Sequence, residues 1–141
     1  MIALDTNLLI YAHRSGTREH RPARAAIEKA CGTSAGAAVT LPSIAEFFSI
    51  VTHPTTSGRP STPGDAAGFL AALQEGGVAV LGPGQSFATR LVQLAGDLGV
   101  TGARIFDLQI GLCALDGGAT ELWTHDRRFV KVPGLAVRHP F

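Results

Sequence analysis

Residues 1–10 read MIALDTNLLI. Ile2, Ala3 and Leu4 form a short apolar run, the pattern of a buried strand. Leu8, Leu9, Tyr11 and Ala12 then recur at helical spacing, with Thr6 placed to cap that helix. Asp5 stands between the two elements, a carboxylate closing a core strand. A strand, an acid and a helix follow one another within a dozen residues, and the rest of the chain repeats the strand–helix part of that order.

Working outward, residues 18–32 read as a helix with Pro22 near its first turn and Gly32 ending it. AAVTLP (37–42) is a strand leading into SIAEFFSIVTHP (43–54), a helix that starts at Ser43 and stops before Pro54. TTSGRPSTPG (55–64) is a loop, rich in Thr, Ser, Gly and Pro. A helix over 65–77, a strand over 78–82 and a helix over 86–99 come next, with GPGQSF (82–87) as a turn that lacks the Lys of a phosphate loop. A nearly all-apolar helix covers 104–118, and strands at 120–124 and 135–139 complete the chain. This alternation predicts an α/β domain over residues 1–141 with a mostly parallel central sheet and helices on both faces.

A chain of 141 residues supports one core rather than two. Apolar residues make up 45% and charged residues 16%, with a mean hydropathy of +0.21, as in a soluble globular protein. No apolar stretch approaches the roughly 18 residues of a membrane span, and no secretory leader is recognisable. Cys31 and Cys113 have no metal-ligand spacing and are expected as buried free thiols of a cytoplasmic protein.

Of the eleven acids, seven, Asp116 among them, lie near element ends or on polar faces and read as solvated surface. Asp5, Glu46, Asp107 and Asp126 differ. Glu46 sits among Ile44, Phe47, Phe48 and Ile50, and Asp107 among Ile105, Phe106, Leu108 and Ile110. An unpaired buried carboxylate costs several kcal/mol, so each needs a cation, donors or a proton. In open parallel sheets, ligands bind beyond the carboxyl ends of the strands. Asp5 ends the first strand, Asp126 follows TELWT, Glu46 falls in the first helical turn after AAVTLP, and Asp107 lies near a helix start. Four carboxylates converging on that edge call for a hard divalent cation, and oxygen-only ligation suits Mg²⁺ or Mn²⁺.

ALDTNLLIYA, PSIAEFFSIVTHP, ARIFDLQIGLCAL and LWTHDRRF occur in that order along the chain. In these segments the sequence resembles the PIN domains, and within them the VapC toxins of type II toxin–antitoxin systems. The resemblance implies a PIN-like α/β/α sandwich and a Mg²⁺- or Mn²⁺-dependent endoribonuclease. It implies Asp5 and Asp107 as principal metal ligands, Glu46 and Asp126 as completing the catalytic cluster, and Asn7 and Thr124 as supports. A cognate antitoxin, a VapB-like small protein, and a homodimer are also implied.

The chemistry agrees with those residue types, since a carboxylate-held cation activates water without a side-chain nucleophile. Serine and cysteine hydrolase patterns are absent, and His125 next to Asp126 is a candidate base. Arg14, Arg18, Arg21 and Arg24 form one basic cluster; Arg127, Arg128 and Lys131 form another beside Asp126. Arg14, Arg127, Arg128 and Lys131 are candidates for contact with RNA phosphates. Phe47, Phe48, Phe69 and Leu70 are candidates for an exposed groove that takes the antitoxin. A receiver domain would show adjacent acids after the first strand and a late Lys, and a dehalogenase-like phosphatase would show Asp-x-Asp where this chain has Asp5-Thr6-Asn7. A non-catalytic signalling or RNA-binding module with an acidic metal pocket is the remaining alternative.

Overall fold

The computed structural model describes residues 1–56 and 58–141. The elements run β1 (Ile2–Leu4), α1 (Thr6–His13), α2 (His20–Cys31), β2 (Ala37–Thr40), α3 (Leu41–Thr52) and α4 (Pro63–Glu75). They continue with β3 (Ala79–Leu81), α5 (Phe87–Leu98), a 3₁₀ turn (Gly102–Arg104), α6 (Ile105–Asp116), β4 (Glu121–Trp123) and β5 (Ala136–Arg138). The strands form one sheet in the order β3-β2-β1-β4-β5, with every pairing parallel. The chain first builds outward from β1 through β2 to β3, then returns to β4 on the other side of β1. The strand order therefore reverses between β1 and β4, the place where open α/β sheets open a cleft.

Alternate strand residues serve two cores, as the two-residue period of a strand requires. Ile2, Leu4, Ala37, Val39 and Trp123 pack under α1, α2, α3 and α4. Ala3, Ala38, Leu81 and Leu122 face α5, α6 and the segment Phe129–Leu135. That segment presses on α6 at Gly111, where a Cβ would lie 2.6 Å from Val132 Cγ2. The result is an α/β/α sandwich, as expected. Among the described residues no helix is long and apolar enough to cross a membrane.

Several boundaries differ from the sequence reading because a capping group lay earlier than the apolar pattern suggested. Asp5, not Thr6, caps α1: its carboxylate accepts the Thr6 N–H. Thr40 caps α3 through the Ser43 N–H, so the helix begins at Leu41, with Pro42 in its first turn. Thr62 and Asp65 form a reciprocal capping box, which starts α4 at Pro63, inside the expected loop. Asp116 is not simply solvated. It forms a double hydrogen-bonded ion pair with Arg90 and accepts the Gly84 N–H, which holds the 82–87 turn against α6. Both cysteines are free thiols; Cys113 is buried, whereas Cys31 is only half-buried.

The expected apolar groove is corrected as well. Phe47 is fully buried, with Phe69 stacked on it at 5.2 Å between centroids, while Phe48 points outward, so Phe47 and Phe48 line no common groove; of the candidates, Phe69 lines the groove that forms instead. An apolar groove runs between α2 and α4. It is lined by Ala12, Ile27, Phe69, Ala72 and Leu73, with Arg24 and Glu28 at its rim, and holds about 320 Å³.

Candidate active site

The carboxyl ends of β1 and β4 are joined by side chains. Asp5 Oδ1 accepts the Thr6 N–H at 2.7 Å, while Oδ2 accepts the Asn7 amide at 2.9 Å and the Thr124 hydroxyl at 2.7 Å. Thr124 Oγ1 also accepts from Asn7 Nδ2 at 3.0 Å and from the Asp126 N–H at 2.9 Å, so its donor and both lone pairs are used. Asn7 Oδ1 accepts the His125 N–H at 3.1 Å. Asn7 and Thr124 thus pin Asp5 and shape the turn that presents Asp126.

Asp5 is 6% exposed, and its pKa is pushed from 3.8 up to about 6. Burial is the largest cause, opposed by the Thr124 and Thr6 donors and reinforced by the charges of Glu46 and Asp107. Glu46 is half-buried on α3, in its second turn rather than the first, because the helix starts early. Its pKa is raised by burial and then by Asp107, with the nearby Thr6 hydroxyl drawing it partway back. Asp107, in the first turn of α6, is also raised. Burial leads there too; the Val130 N–H at 3.4 Å and Arg104 oppose it, and Asp126 adds to it. Asp5, Glu46 and Asp107 are therefore neighbours in charge, and Asp126 joins through Asp107.

No three of the described acid, histidine or cysteine side chains form a ready-made metal cage. Asp5 is turned to its donors, and Asp126 Oδ1 accepts the Arg128 N–H at 2.8 Å. The donor set nevertheless fits a hard cation: all its atoms are oxygens, and Asp5, Glu46 and Asp107 are partly or wholly buried close enough for their charges to raise one another's pKa after burial itself. Thr6 Oγ1 adds a second sign, since it is buried beside Glu46 without a partner that meets hydrogen-bond geometry. A buried hydroxyl left open is costly unless something else occupies the space before it. Thr6 escaped the sequence reading because its position suited a helix cap equally well.

The basic candidates divide. Arg127, Arg128 and Lys131 are exposed, and Arg128 joins Arg104, Asp107 and Asp126 around a small cavity of about 210 Å³. Arg14 is taken up elsewhere: its guanidinium donates to Arg59 O, Val51 O and Thr56 Oγ1, tying α1 to the end of α3 and the following loop. Its sequence neighbours are charged and polar, and nothing local showed those carbonyls. The His125 ring stacks on Phe141 at 4.5 Å, and its Nδ1 lies 3.2 Å from Phe141 O. It is thus part of a packed aromatic pair rather than directed at the acids. Arg104 was legible only as a neighbour of Asp107; its Nη2 donates to Arg128 O at 2.8 Å, which braces the rim of the cavity.

The PIN domain family model matches residues 2–135. Ribonuclease VapC43 of Mycobacterium tuberculosis is 33% identical over 141 residues, covering 99% of this chain and 95% of the relative. Among solved structures, VapBC2 from Rickettsia felis, bound to a DNA fragment from its promoter, superposes with a TM-score of 0.70 at 18% identity, over 99% of this chain and 98% of that one. A toxin–antitoxin complex from Klebsiella pneumoniae superposes with a TM-score of 0.67 at 22% identity, over 100% and 98%. These two share the fold described above. By its match over residues 2–135 and its likeness to VapC43 along nearly the whole length, this chain belongs to the PIN domain family, among its VapC-like members.

Proposed function

We propose that this protein is the toxin of a type II toxin–antitoxin system, an endoribonuclease that hydrolyses RNA phosphodiester bonds with Mg²⁺ or Mn²⁺. The observation that carries this reading is the set of mutually repelling carboxyls Asp5, Glu46 and Asp107, drawn from three elements to the strand-order reversal in a chain whose relatives are named ribonucleases. Asp5 and Asp107 would hold the cation, with Glu46 and Asp126 completing the site. A divalent cation there activates water and offsets charge on the scissile phosphate. Asn7 and Thr124 fix the orientation of Asp5. The Thr6 hydroxyl, beside Glu46, helps to hold that carboxyl in place. Arg127, Arg128 and Lys131 bring the polyanion to an acidic centre that would otherwise repel it.

The partner reading rests on the groove between α2 and α4. Its apolar floor and charged rim suit an amphipathic segment of a VapB-like antitoxin. Phe106, 55% exposed, and Leu41, 53% exposed, leave apolar surface for a homodimer contact. A cytoplasmic location follows from the substrate and the free thiols.

Incubation of the purified protein with total RNA in Mn²⁺ or EDTA tests the reading. Cleavage should require the metal, and Asp107→Asn should cost more than the roughly 100-fold typical of losing a group that only supports a metal ligand. Mn²⁺ should also raise the melting temperature of the wild type more than that of Asp107→Asn. Cleavage in EDTA, or equal thermal shifts, would remove the metal-site argument.

A further inference from the structure

Next to the acidic cavity lies a second one, of about 460 Å³, between the end of α5, the 3₁₀ turn and the 128–131 segment. Arg104 and Arg128 line both cavities, so the two adjoin across these side chains. Lys131 and Thr101 complete the polar part of the second wall, and Phe129 and Val130 contribute to its lining. That lining contains three cations and no acid. Among the described residues, Arg104, Arg128 and Lys131 form no ion pair, although Asp107 and Asp126 stand in the adjoining cavity.

The carbonyl end of α5 also faces this space and on its own would disfavour an anion. Gly99, at φ 66°, folds the chain back so that its own N–H and that of Val100 cover the Ala95 and Gly96 carbonyls. Two of the four terminal carbonyls are thereby covered, which weakens the negative end that faces the three cations. A cavity of this size takes a nucleotide-sized group, and its charge suits a phosphate.

We propose that this cavity is a subsite for the backbone of single-stranded RNA on one side of the cleaved bond, with Lys131, Arg104 and Thr101 holding a phosphate beyond the scissile one. The inference rests on the nuclease reading and deepens it by assigning the substrate a direction across the site. A strand that turns from one cavity into the next needs free backbone torsions, which a base-paired duplex does not offer. The acids then occupy one end of the track and the unpaired cations the other.

The test uses RNA oligonucleotides extended by one to four nucleotides on either side of a mapped cleavage position. In the wild type, extension on one side alone should raise kcat/KM about 10-fold, the worth of one or two charge-assisted contacts. The ratio of long to short substrate should fall toward one in Lys131→Glu and in Thr101→Asp, both at exposed positions. Equal gains on both sides, or an unchanged ratio in both variants, would overturn the proposal. A second arm measures anisotropy of labelled oligouridine in EDTA at rising salt. The salt slope should drop by about one unit in Lys131→Ala, and an unchanged slope would overturn the subsite even if no cleavage is ever seen. Absence of cleavage with a reduced slope would instead count against the nuclease reading alone. Binding of a polyglutamate peptide as tight as that of oligouridine would overturn the RNA assignment and point to an acidic protein segment.

Discussion

At pH 7 the Asp5 carboxyl must be ionised while almost wholly buried beside Glu46 and Asp107. Its folded pKa of about 6 lies above the ordinary 3.8, so the native state holds this proton more tightly than the unfolded chain does. Below the ordinary value both states are protonated and no penalty exists. Between pH 4 and 6 the unfolded chain ionises first, and stability falls as pH rises; above 6 the loss is complete, at about 3 kcal/mol. Relative to Asp5→Asn, the metal-free wild type should therefore lose melting temperature across that window and run parallel above it. Mn²⁺ should reverse the loss at pH 7. Melting curves at half-unit pH steps in EDTA check this, and a difference that grows in the opposite sense would show that Asp5 is not strained by its charge. Asp5, Glu46 and Asp107 were all legible as anomalies in apolar segments, because an acid among apolar neighbours carries a desolvation cost that its own sequence segment does not offset.

Among the elements, α1 carries site residues at one end and a structural clamp at the other. Asp5 caps its start, and Arg14 at its end donates to α3 and the 55–60 loop through three acceptors. Arg14→Ala should lower stability by about 2 kcal/mol, the range for hydrogen bonds to a charged group at a partly exposed site. It should leave the salt dependence of RNA binding unchanged, whereas Arg127→Ala combined with Arg128→Ala should reduce that slope by about two units. Urea melts and salt titrations of anisotropy separate the two effects. The helix starts show the same limit of local reading: apolar periodicity located α3 and α4, but the capping oxygens of Thr40 and Thr62 moved their first residues upstream.

At the scale of the whole molecule, the site and the groove occupy different parts of the fold. The acids gather where the strand order reverses beside β1, while the groove lies between α2 and α4. Neutralisation by a partner and cleavage of RNA should therefore be separable by mutation. Expression in the host should arrest growth, and co-expression of the neighbouring gene should restore it. Ala72→Glu, an exposed change in the groove, should still cleave RNA and arrest growth yet resist that rescue. Unaffected growth with soluble protein present would sink the toxin reading and leave the nuclease reading standing; rescue of Ala72→Glu equal to wild type would move the docking surface elsewhere.

The sequence by itself determined the alternation of strands and helices and the mostly parallel sheet, and it marked four acids as out of place in apolar segments. Those properties depend on period, on caps and on the cost of an isolated charge, all of which act within a few residues. Tertiary structure decided which polar groups were already satisfied and which were left open. Asn7 and Thr124 meet across 117 residues because β1 lies between β2 and β4, a neighbour relation that no local pattern contains. The same packing buried Phe47, committed Arg14 to backbone carbonyls, and left Arg104, Arg128 and Lys131 without ion-pair partners among the described residues. A side chain's type sets the interactions it can make; the fold decides, through distance, which of them remain to be made with a ligand.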